Sequence, residues 1–300
     1  MKRSLVAVAL FLACVLPNLA SGQKLIALTF DDGPRPYVLY GVRNPGEPVK
    51  AGLIDTLEKN GVKATFFLMG WRLTPKTWGE RRETNIGITC IDAARDLVKR
   101  GHELENHTYG HERLNLVQKK RGSEGALADI EKGSSAIEAI TGRKAIYIRP
   151  PQWVLPGDLR AQIEKRGYRV MTIATENPLA VRDVNSLDYL CAGSQPKQCP
   201  KPSLAQNVLR QIEAREKQGV TTHILTFHEL SSTVPAIQML IPELKARGYR
   251  FVRLDEYRTK CSRIPDWASG RDSYRLRAAG ERFARCLFVL SLRFGKNEKW

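Results

Sequence analysis

The 300-residue sequence contains no close Cys-x-x-Cys pair, no Walker-type phosphate loop and no RNA-binding signature. These absences argue against a zinc finger, a P-loop nucleotide hydrolase and a nucleic-acid partner. Acidic residues are also scarce, since 31 Asp and Glu face 48 Lys and Arg, and the formal net charge is +17. Such a charge favours contact with polyanions, which outside the cytoplasm are anionic cell-wall polymers and lipid surfaces. Solubility alone would favour the same charge.

Residues 1–22 have the composition of a secretory signal peptide, with a basic start at 2–3, an apolar stretch at 5–16 and small residues at 20–22. The apolar stretch is too short for a membrane span, so the sequence predicts export to the periplasm or the extracellular space without an integral membrane span. A partial lipobox ending at Cys14 leaves lipoprotein anchoring as a weaker alternative. Cleavage would remove two basic residues and leave a net charge of +15.

Five cysteines follow the predicted signal peptide. In an oxidising compartment, cysteines that are close in sequence tend to form disulfides. We therefore expect the pairs Cys191–Cys199 and Cys261–Cys286, with Cys90 left over.

An amphipathic helix, a basic turn closed by glycine and an apolar strand recur along the chain. We expect a helix to end at each of these glycines, which are Gly61, Gly101, Gly167 and Gly248. The predicted strands are 25–30, 64–69, 102–106, 145–149, 168–173, 223–227 and 251–253. Alternation of strands and helices implies parallel strands with right-handed crossovers. The sequence thus predicts one α/β domain, a parallel barrel at 23–258, followed by a basic C-terminal extension at 259–300.

Reactive side chains cluster where four of these strands end. In parallel barrels, the carboxyl ends of the strands carry the chemistry. We therefore expect one site formed by Asp31 and Asp32 of the first strand, His107 and His111 after the third, Arg149 of the fourth and His228 of a late strand.

His107 and His111 are four residues apart, so on a helical turn both imidazoles can face one metal ion. Asp31 or Asp32 is the available oxygen ligand, and such a donor set leaves a position open for water. A metal held in this way makes water a nucleophile at neutral pH. The second carboxylate can take up a proton as general base, and His228 can return one to a leaving group. The residues predict metal-assisted hydrolysis of an acyl bond.

The stretches Thr-Phe-Asp-Asp-Gly-Pro at 29–34 and Asn-His-Thr-Tyr-Gly-His at 106–111 occur in order with Arg-Pro-Pro at 149–151 and Leu-Thr-Phe-His at 225–228. Together they resemble the motifs of the polysaccharide deacetylase family, the NodB-homology domain of carbohydrate esterase family four. The resemblance covers 25–257. It implies a distorted (β/α)7-8 barrel with parallel strands and a single catalytic domain.

The resemblance also implies roles for the residues that match the motifs. Asp31 would be the general base, oriented by Arg149 through a charge-assisted pair. Asp32, His107 and His111 would bind a divalent metal. Zinc is the expected ion, with cobalt, manganese or nickel as alternatives.

On the same resemblance, His228 would be the general acid and Leu225 would line the pocket for the acetyl methyl group. A backbone N–H at Gln152, just after Pro151, would help to stabilise the oxyanion. The family has an aromatic residue at this position, whereas this chain has glutamine and then Trp153. We therefore expect a changed wall of the substrate groove.

A further family motif, Asp-x-x-Asp-Trp, is matched only loosely by residues 185–189. If Asp188 occupies the second Asp position, it would hydrogen-bond to His228 and tune it, with Tyr189 beside it against the substrate. The alternative is a polar loop.

These features lead to the hypothesis of an exported, metal-dependent enzyme that hydrolyses N-acetyl groups of a GlcNAc-containing polymer such as peptidoglycan or chitin. Its partner would be that polysaccharide, with the anionic cell wall as a further contact. Two alternatives stay open. One is an esterase that acts on O-acetylated polysaccharide with the same site, and the other is a barrel that binds glycan without turnover.

Overall fold

Residues 23–41, 51–75, 79–80, 87–171, 183–191 and 198–262 are described by the computed structural model. The predicted signal peptide and most of the C-terminal extension lie outside these residues. Within them, one sheet contains β1 (Leu25–Gly33), β2 (Thr65–Leu68), β3 (Glu103–Asn106), β4 (Tyr147–Ile148), β5 (Arg169–Val170), β6 (Asp183–Asn185), β7 (Thr222–His228) and β8 (Arg250–Val252).

Strand β1 is the centre of this sheet. From Leu25 to Asp31 it pairs with β7, and on its other side it pairs with β8 at its start and with β2 at its end. The order is β5-β4-β3-β2-β1-β7-β6, and all pairs are parallel. Among the described residues β5 and β6 stand at the two ends of this order and β8 pairs with β1 alone, so the sheet is a curled, open barrel. The prediction of an α/β barrel of parallel strands is confirmed.

Helices connect the strands along the chain. They are α1 (Pro36–Leu39), α2 (Leu53–Lys59), α3 (Cys90–Lys99), α4 (Leu114–Thr141), α5 (Gly157–Lys165), α6 (Leu204–Glu216), α7 (Thr233–Ala246) and α8 (Leu254–Ser262). The predicted helix ends are confirmed. Gly61, Gly101, Gly167 and Gly248 each follow the last helical residue by two positions and have φ from 59° to 87°. No described helix has both the length and the apolar character that a bilayer crossing requires.

Alternation along β1 separates the core from the barrel interior. Leu28 and Phe30 belong to the core cluster between the sheet and the helices, whereas Leu25 and Ala27 belong to an inner cluster. By the same period of two, Asp31 continues the inner row at the carboxyl end of the strand. The fold therefore directs this carboxylate into the mouth of the barrel.

The sequence does not predict β6, which is short and has polar residues at two of its three positions. It forms because β7 offers a pairing edge, with Asp183 opposite Ile224 and Asn185 opposite Thr226. The strand is followed by a short 3-10 turn that begins at Asp188. Its pairing brings this turn to the end of β7.

The predicted Cys191–Cys199 disulfide is present, with Cα atoms 4.5 Å apart. Cys261 is buried in α8, and Cys286 lies outside the described residues, so their pairing stays a prediction. Cys90, the residue left over, is also buried.

Candidate active site

The end of β1 brings two adjacent carboxylates to one cavity. Asp31 is still in register with His228 of β7. Asp32 has a φ of 69°, and the pairing with β2 shifts between Asp31 and Gly33. In a regular strand, neighbouring side chains would point to opposite faces. This irregularity turns Asp32, and both carboxylates line the cavity.

The loop after β3 presents His107 and His111. The expectation of a helical turn is wrong, because Thr108 and His111 have φ values of 67° and 58°. Asn106 stabilises the loop instead, since its Oδ1 accepts the Thr108 N–H at 2.7 Å. The Thr108 hydroxyl in turn accepts the His111 N–H at 3.1 Å. This turn brings the centroids of the two imidazole rings to 4.8 Å.

Asp32, His107 and His111 offer ligand atoms that all lie within 4.8 Å of one another. The Nε2 atoms of His107 and His111 are 3.3 and 2.9 Å from Asp32 Oδ1. His107 Nδ1 is 2.7 Å from the carbonyl oxygen of Arg149, and because a carbonyl only accepts, Nδ1 is the donor. This leaves the lone pair of its Nε2 facing Asp32. Asp32 Oδ1 is buried without a hydrogen-bond partner among the described residues. A divalent cation would satisfy this donor set.

Arg149 fixes the second carboxylate from inside the barrel. The arginine is fully buried, and its Nη1 donates to Asp31 Oδ1 at 2.6 Å and to the Thr29 hydroxyl at 2.9 Å. The guanidinium carbon lies 4.0 Å from the ring centroid of Phe67 and 5.0 Å from that of Trp153. Because both charges are buried, each depends on the other for compensation.

His228 and Asp188 form a second pair, in which Nδ1 and Oδ1 are 2.7 Å apart. Asp188 is fully buried, and its Oδ2 accepts the His228 N–H and the Thr233 hydroxyl. Burial by itself would lower the pKa of His228. The hydrogen bond and the charges of Asp188, Asp31 and Asp32 outweigh burial and raise the pKa to about 9. The imidazole therefore carries a proton at neutral pH. Asp188 makes the contact that one of its two sequence interpretations required.

A cavity of about 550 Å³ collects these groups. Its walls include the Asp32–His107–His111 group, Asp31 and His228, together with Arg35, Pro150, Gln152, Trp153, Tyr189 and Leu230. A donor set suited to a divalent cation, a carboxylate and a protonated imidazole thus line one pocket. This arrangement can support hydrolysis of a polar acyl group.

Residues 18–171 match the family model described as polysaccharide deacetylase, which covers just over half of the sequence. The chain belongs to the polysaccharide deacetylase family. This membership places it among hydrolases that act on amide bonds and in a metal-dependent family.

Two similar proteins are named as deacetylases of different polymers. A chitin deacetylase from Pestalotiopsis sp is 29% identical over 177 residues, which are 59% of this chain and 45% of that protein. A peptidoglycan-N-acetylglucosamine deacetylase from Bacillus cereus is 24% identical over 245 residues, which are 80% of this chain and 90% of that protein. The chain thus spans less than half of the first relative and most of the second.

The same fold occurs in BA3943 of Bacillus anthracis, a CE4 family pseudoenzyme. The TM-score is 0.55 at 22% identity, and the match covers 79% of this chain and 66% of that one. This likeness concerns the fold alone. Because a pseudoenzyme shares the deacetylase fold, the activity of this chain has to be argued from the side chains in its cavity.

The sequence departs from the deacetylase motif at the wall of the cavity, at Gln152 and Trp153. Gln152 and Trp153 have φ values of 54° and 60°, and Gln152 Oε1 accepts a hydrogen bond from Arg113 Nε. Trp153 lies against Arg149 and lines the cavity. The aromatic wall that the family has directly after Pro151 is therefore supplied one residue later.

The expectation that Leu225 lines the pocket is wrong. Leu225 is 1% exposed and belongs to the core cluster between sheet and helices. It precedes His228 by three residues, and an odd separation along a strand places two side chains on opposite faces. Leu230, just after β7, is the leucine that lines the cavity, and Pro150 rather than Pro151 does so.

Backbone strain is concentrated around this cavity. Six described non-glycine residues have a positive φ, and each lies in the last residues of a strand of the site or in the segment that follows one: Asp32, Thr108, His111, Gln152, Trp153 and Leu187. Such conformations cost on the order of 1 to 3 kcal/mol each, so neighbouring contacts must hold them. Leu187 leads into Tyr189, which is 46% exposed and whose ring centroid lies 5.7 Å from that of His228.

Sequence reasoning missed Arg35 and Glu229. Arg35 lines the cavity, and its Nη2 is 3.5 Å from Asp32 Oδ2. Glu229 is fully buried, and burial raises its pKa to about 7 against the opposing charges of Arg35 and Arg72. Both residues adjoin recognised motifs, but nothing in the sequence indicates that they meet.

Proposed function

We propose that this chain is an exported, metal-dependent deacetylase that hydrolyses N-acetyl groups of a GlcNAc-containing polymer. The observation that carries the proposal is the single cavity in which the Asp32–His107–His111 group, the Asp31–Arg149 pair and the His228–Asp188 pair meet. Family membership alone would be weaker support, since the same fold occurs in a pseudoenzyme.

Asp32, His107 and His111 would hold the divalent ion. Two imidazole nitrogens and one carboxylate oxygen suit zinc, and the unpaired buried Oδ1 of Asp32 supports the assignment. When bound, such an ion acts as a Lewis acid that polarises a carbonyl group and lowers the pKa of water to about 7.

Asp31 would accept the proton from the attacking water. Its partner Arg149 holds one carboxylate oxygen at 2.6 Å through a charge-assisted hydrogen bond. The carboxylate is thereby oriented toward the cavity and kept from rotating. Proton transfer of this kind is typically worth about 10² to 10⁴ in rate.

His228 would donate a proton to the departing amine. Asp188 holds its Nδ1, so the proton on Nε2 is the one available to a substrate. The water oxygen forms a new bond to the acetyl carbon, the bond from carbon to nitrogen breaks, and the nitrogen leaves as an amine. The products are acetate and a glucosamine unit.

The cavity walls support an acetylated sugar as the substrate. Trp153 and Tyr189 provide aromatic faces, and Leu230 provides an apolar contact of the kind that an acetyl methyl group needs. We assign the acetyl-methyl contact to Leu230 in place of Leu225. The backbone N–H of Gln152 remains the candidate for stabilising the oxyanion.

The domain plan proposed with this function is a signal peptide at 1–22, the catalytic barrel at 23–258 and a basic extension at 259–300. Export to the periplasm or cell surface would bring the enzyme to its polymer. The excess of basic residues would add attraction to an anionic wall.

Acetate release is the experiment that separates the candidate functions. Purified protein would be assayed on acetylated chitooligosaccharides, peptidoglycan and acetylxylan, each with and without a chelator. We expect chelator-sensitive release from the first two. Release from acetylxylan alone would support the O-acetyl esterase, and glycan binding without release would support the non-catalytic barrel.

A further inference from the structure

The carboxylate of Glu229 lies between the strand end that carries His228 and the turn that carries Asp32. Glu229 is 0% exposed. The backbone N–H of Glu229 donates to the carbonyl oxygen of Asp31 at 3.0 Å, and its side-chain Oε2 accepts the backbone N–H of Arg35 at 2.7 Å. Glu229 therefore joins β7 to the chain on both sides of Asp32.

Gly33 leaves the space that this carboxylate occupies. A Cβ on residue 33 would lie 1.7 Å from Glu229 Oε1 and 2.9 Å from a methyl carbon of Leu68. A contact of 1.7 Å is impossible, so any side chain at this position would displace the carboxylate or the turn. Oε1 has no hydrogen-bond partner among the described residues. Since a buried, unpaired oxygen costs stability, packing alone does not favour a carboxylate here.

Asp32 depends on this turn for its position. Its φ of 69° is unfavourable for a residue with a side chain, so neighbouring contacts must hold it. Arg35 lies three residues after Asp32, and Glu229 accepts a hydrogen bond from its backbone N–H. The Nη2 of Arg35 is 3.5 Å from Asp32 Oδ2. If the turn moved, Asp32 Oδ1 would move relative to the Nε2 atoms of His107 and His111. In metal sites the distances from ligand to ion fall within about 0.2 Å of their standard values.

We propose that Glu229 is a positioning residue that sets the location of Asp32 and thereby the affinity of the Asp32–His107–His111 group for a divalent cation. It acts through the turn from Asp32 to Arg35 and does not itself serve as a ligand. The inference rests on the proposed function, because it requires the metal site. Groups that support a metal ligand typically change the affinity by about 10- to 100-fold when they are removed.

Zinc affinity is the readout, measured on the full chain after metal removal by competition with a chromophoric chelator. Glu229→Ala should weaken the Kd for Zn²⁺ by at least about 10-fold. Glu229→Gln keeps an oxygen that can accept the Arg35 N–H, so it should stay much closer to the wild type. Glu103→Gln is the matched control. Glu103 is the first residue of β3, and its buried carboxylate accepts a hydrogen bond from the Thr65 hydroxyl at 2.6 Å. The control variant should change thermal stability and leave zinc affinity unchanged.

A second pair of variants tests the contact itself. Gly33→Ala should weaken zinc binding about as much as Glu229→Ala. In the double variant that carries both changes, Gly33→Ala should weaken zinc binding little further, because the Glu229 carboxylate that the new methyl group would meet is absent. An affinity of Glu229→Ala within about twofold of the wild type would overturn the inference, since removed supporting groups normally cost more. A double variant whose loss of zinc affinity equals the product of the two single losses would also overturn the inference. If Gly33→Ala does not fold, the comparison of the two Glu229 variants decides. Wild-type protein that binds no zinc would instead refute the proposed metal site, and the inference with it.

Discussion

Replacement of Asp188 by Asn should convert His228 from a protonated to a largely neutral imidazole at mildly alkaline pH. The carboxylate is fully buried and lies 2.7 Å from His228 Nδ1. Asn keeps the size of the side chain and an oxygen for the Thr233 hydroxyl, but it removes the negative charge. The pKa of His228 should therefore fall, although Asp31 and Asp32 still raise it.

The size of the effect follows from the pKa of about 9, compared with an ordinary value of 6.5. That difference corresponds to about 3 kcal/mol in favour of the charged ring. With a pKa near 9, roughly nine-tenths of the rings are protonated at pH 8, whereas an ordinary histidine is protonated in roughly one molecule of thirty. A raised pKa in the folded protein means that the acid form persists up to higher pH and is lost as the pH rises through 9.

The assay is the pH dependence of kcat/KM for acetate release, measured from pH 6 to 10. In the wild type, activity should fall on the alkaline side near pH 9, and in Asp188→Asn it should fall between about pH 7 and 8. Thr233→Val is the matched control, because it removes one hydrogen bond to Asp188 without changing any charge. An alkaline limb that stays in place in Asp188→Asn would refute the assignment of His228 as the acid.

Three further outcomes follow from the contacts described. Arg149→Lys should lower kcat by about 100-fold at unchanged metal content, because it loosens Asp31 and leaves the metal ligands in place. Metal content and acetate release would be measured together, and a parallel fall of the two would contradict this prediction. Cys191→Ser with Cys199→Ser should lower the free energy of unfolding by about 2 to 3 kcal/mol in chemical denaturation, and an unchanged midpoint would count against the disulfide. Binding to insoluble anionic cell wall should weaken with salt, because charges act over only about 10 Å at 0.1 M, while turnover of a short neutral chitooligosaccharide should respond much less. If wall binding and turnover of the neutral oligosaccharide fell equally with salt, net charge would not explain the attraction to the wall.

The motifs predicted much of the site, because each lies at the end of an apolar strand and parallel strands bring their carboxyl ends together. Asp31 and Asp32 on β1 and His107 and His111 after β3 line one cavity as expected. Arg149 lies beside it. The regular alternation of apolar runs and glycine turns was sufficient to predict most of the sheet.

The remaining features depend on contacts between distant parts of the chain. Strand β6 has no pattern of its own and forms only against β7, so the contact of Asp188 with His228 could not be separated from the alternative of a polar loop. The motif places Leu225 in the pocket, whereas the period of the strand puts its side chain on the face opposite to His228. The sequence does not point to Glu229, because the space that its carboxylate occupies is left by the absent side chain of Gly33.

The two adjacent aspartates provide the most direct test of metal-assisted hydrolysis in this cavity. Metal content by mass spectrometry and acetate release would be measured together for Asp31→Asn and Asp32→Ala. Asp31→Asn should keep near-stoichiometric metal and lose about 10² to 10⁴ in kcat, and added metal should not restore it. Asp32→Ala should lose metal and activity together, with partial recovery in excess metal. An Asp31→Asn protein that is metal-free, or one that is fully active, would contradict the account.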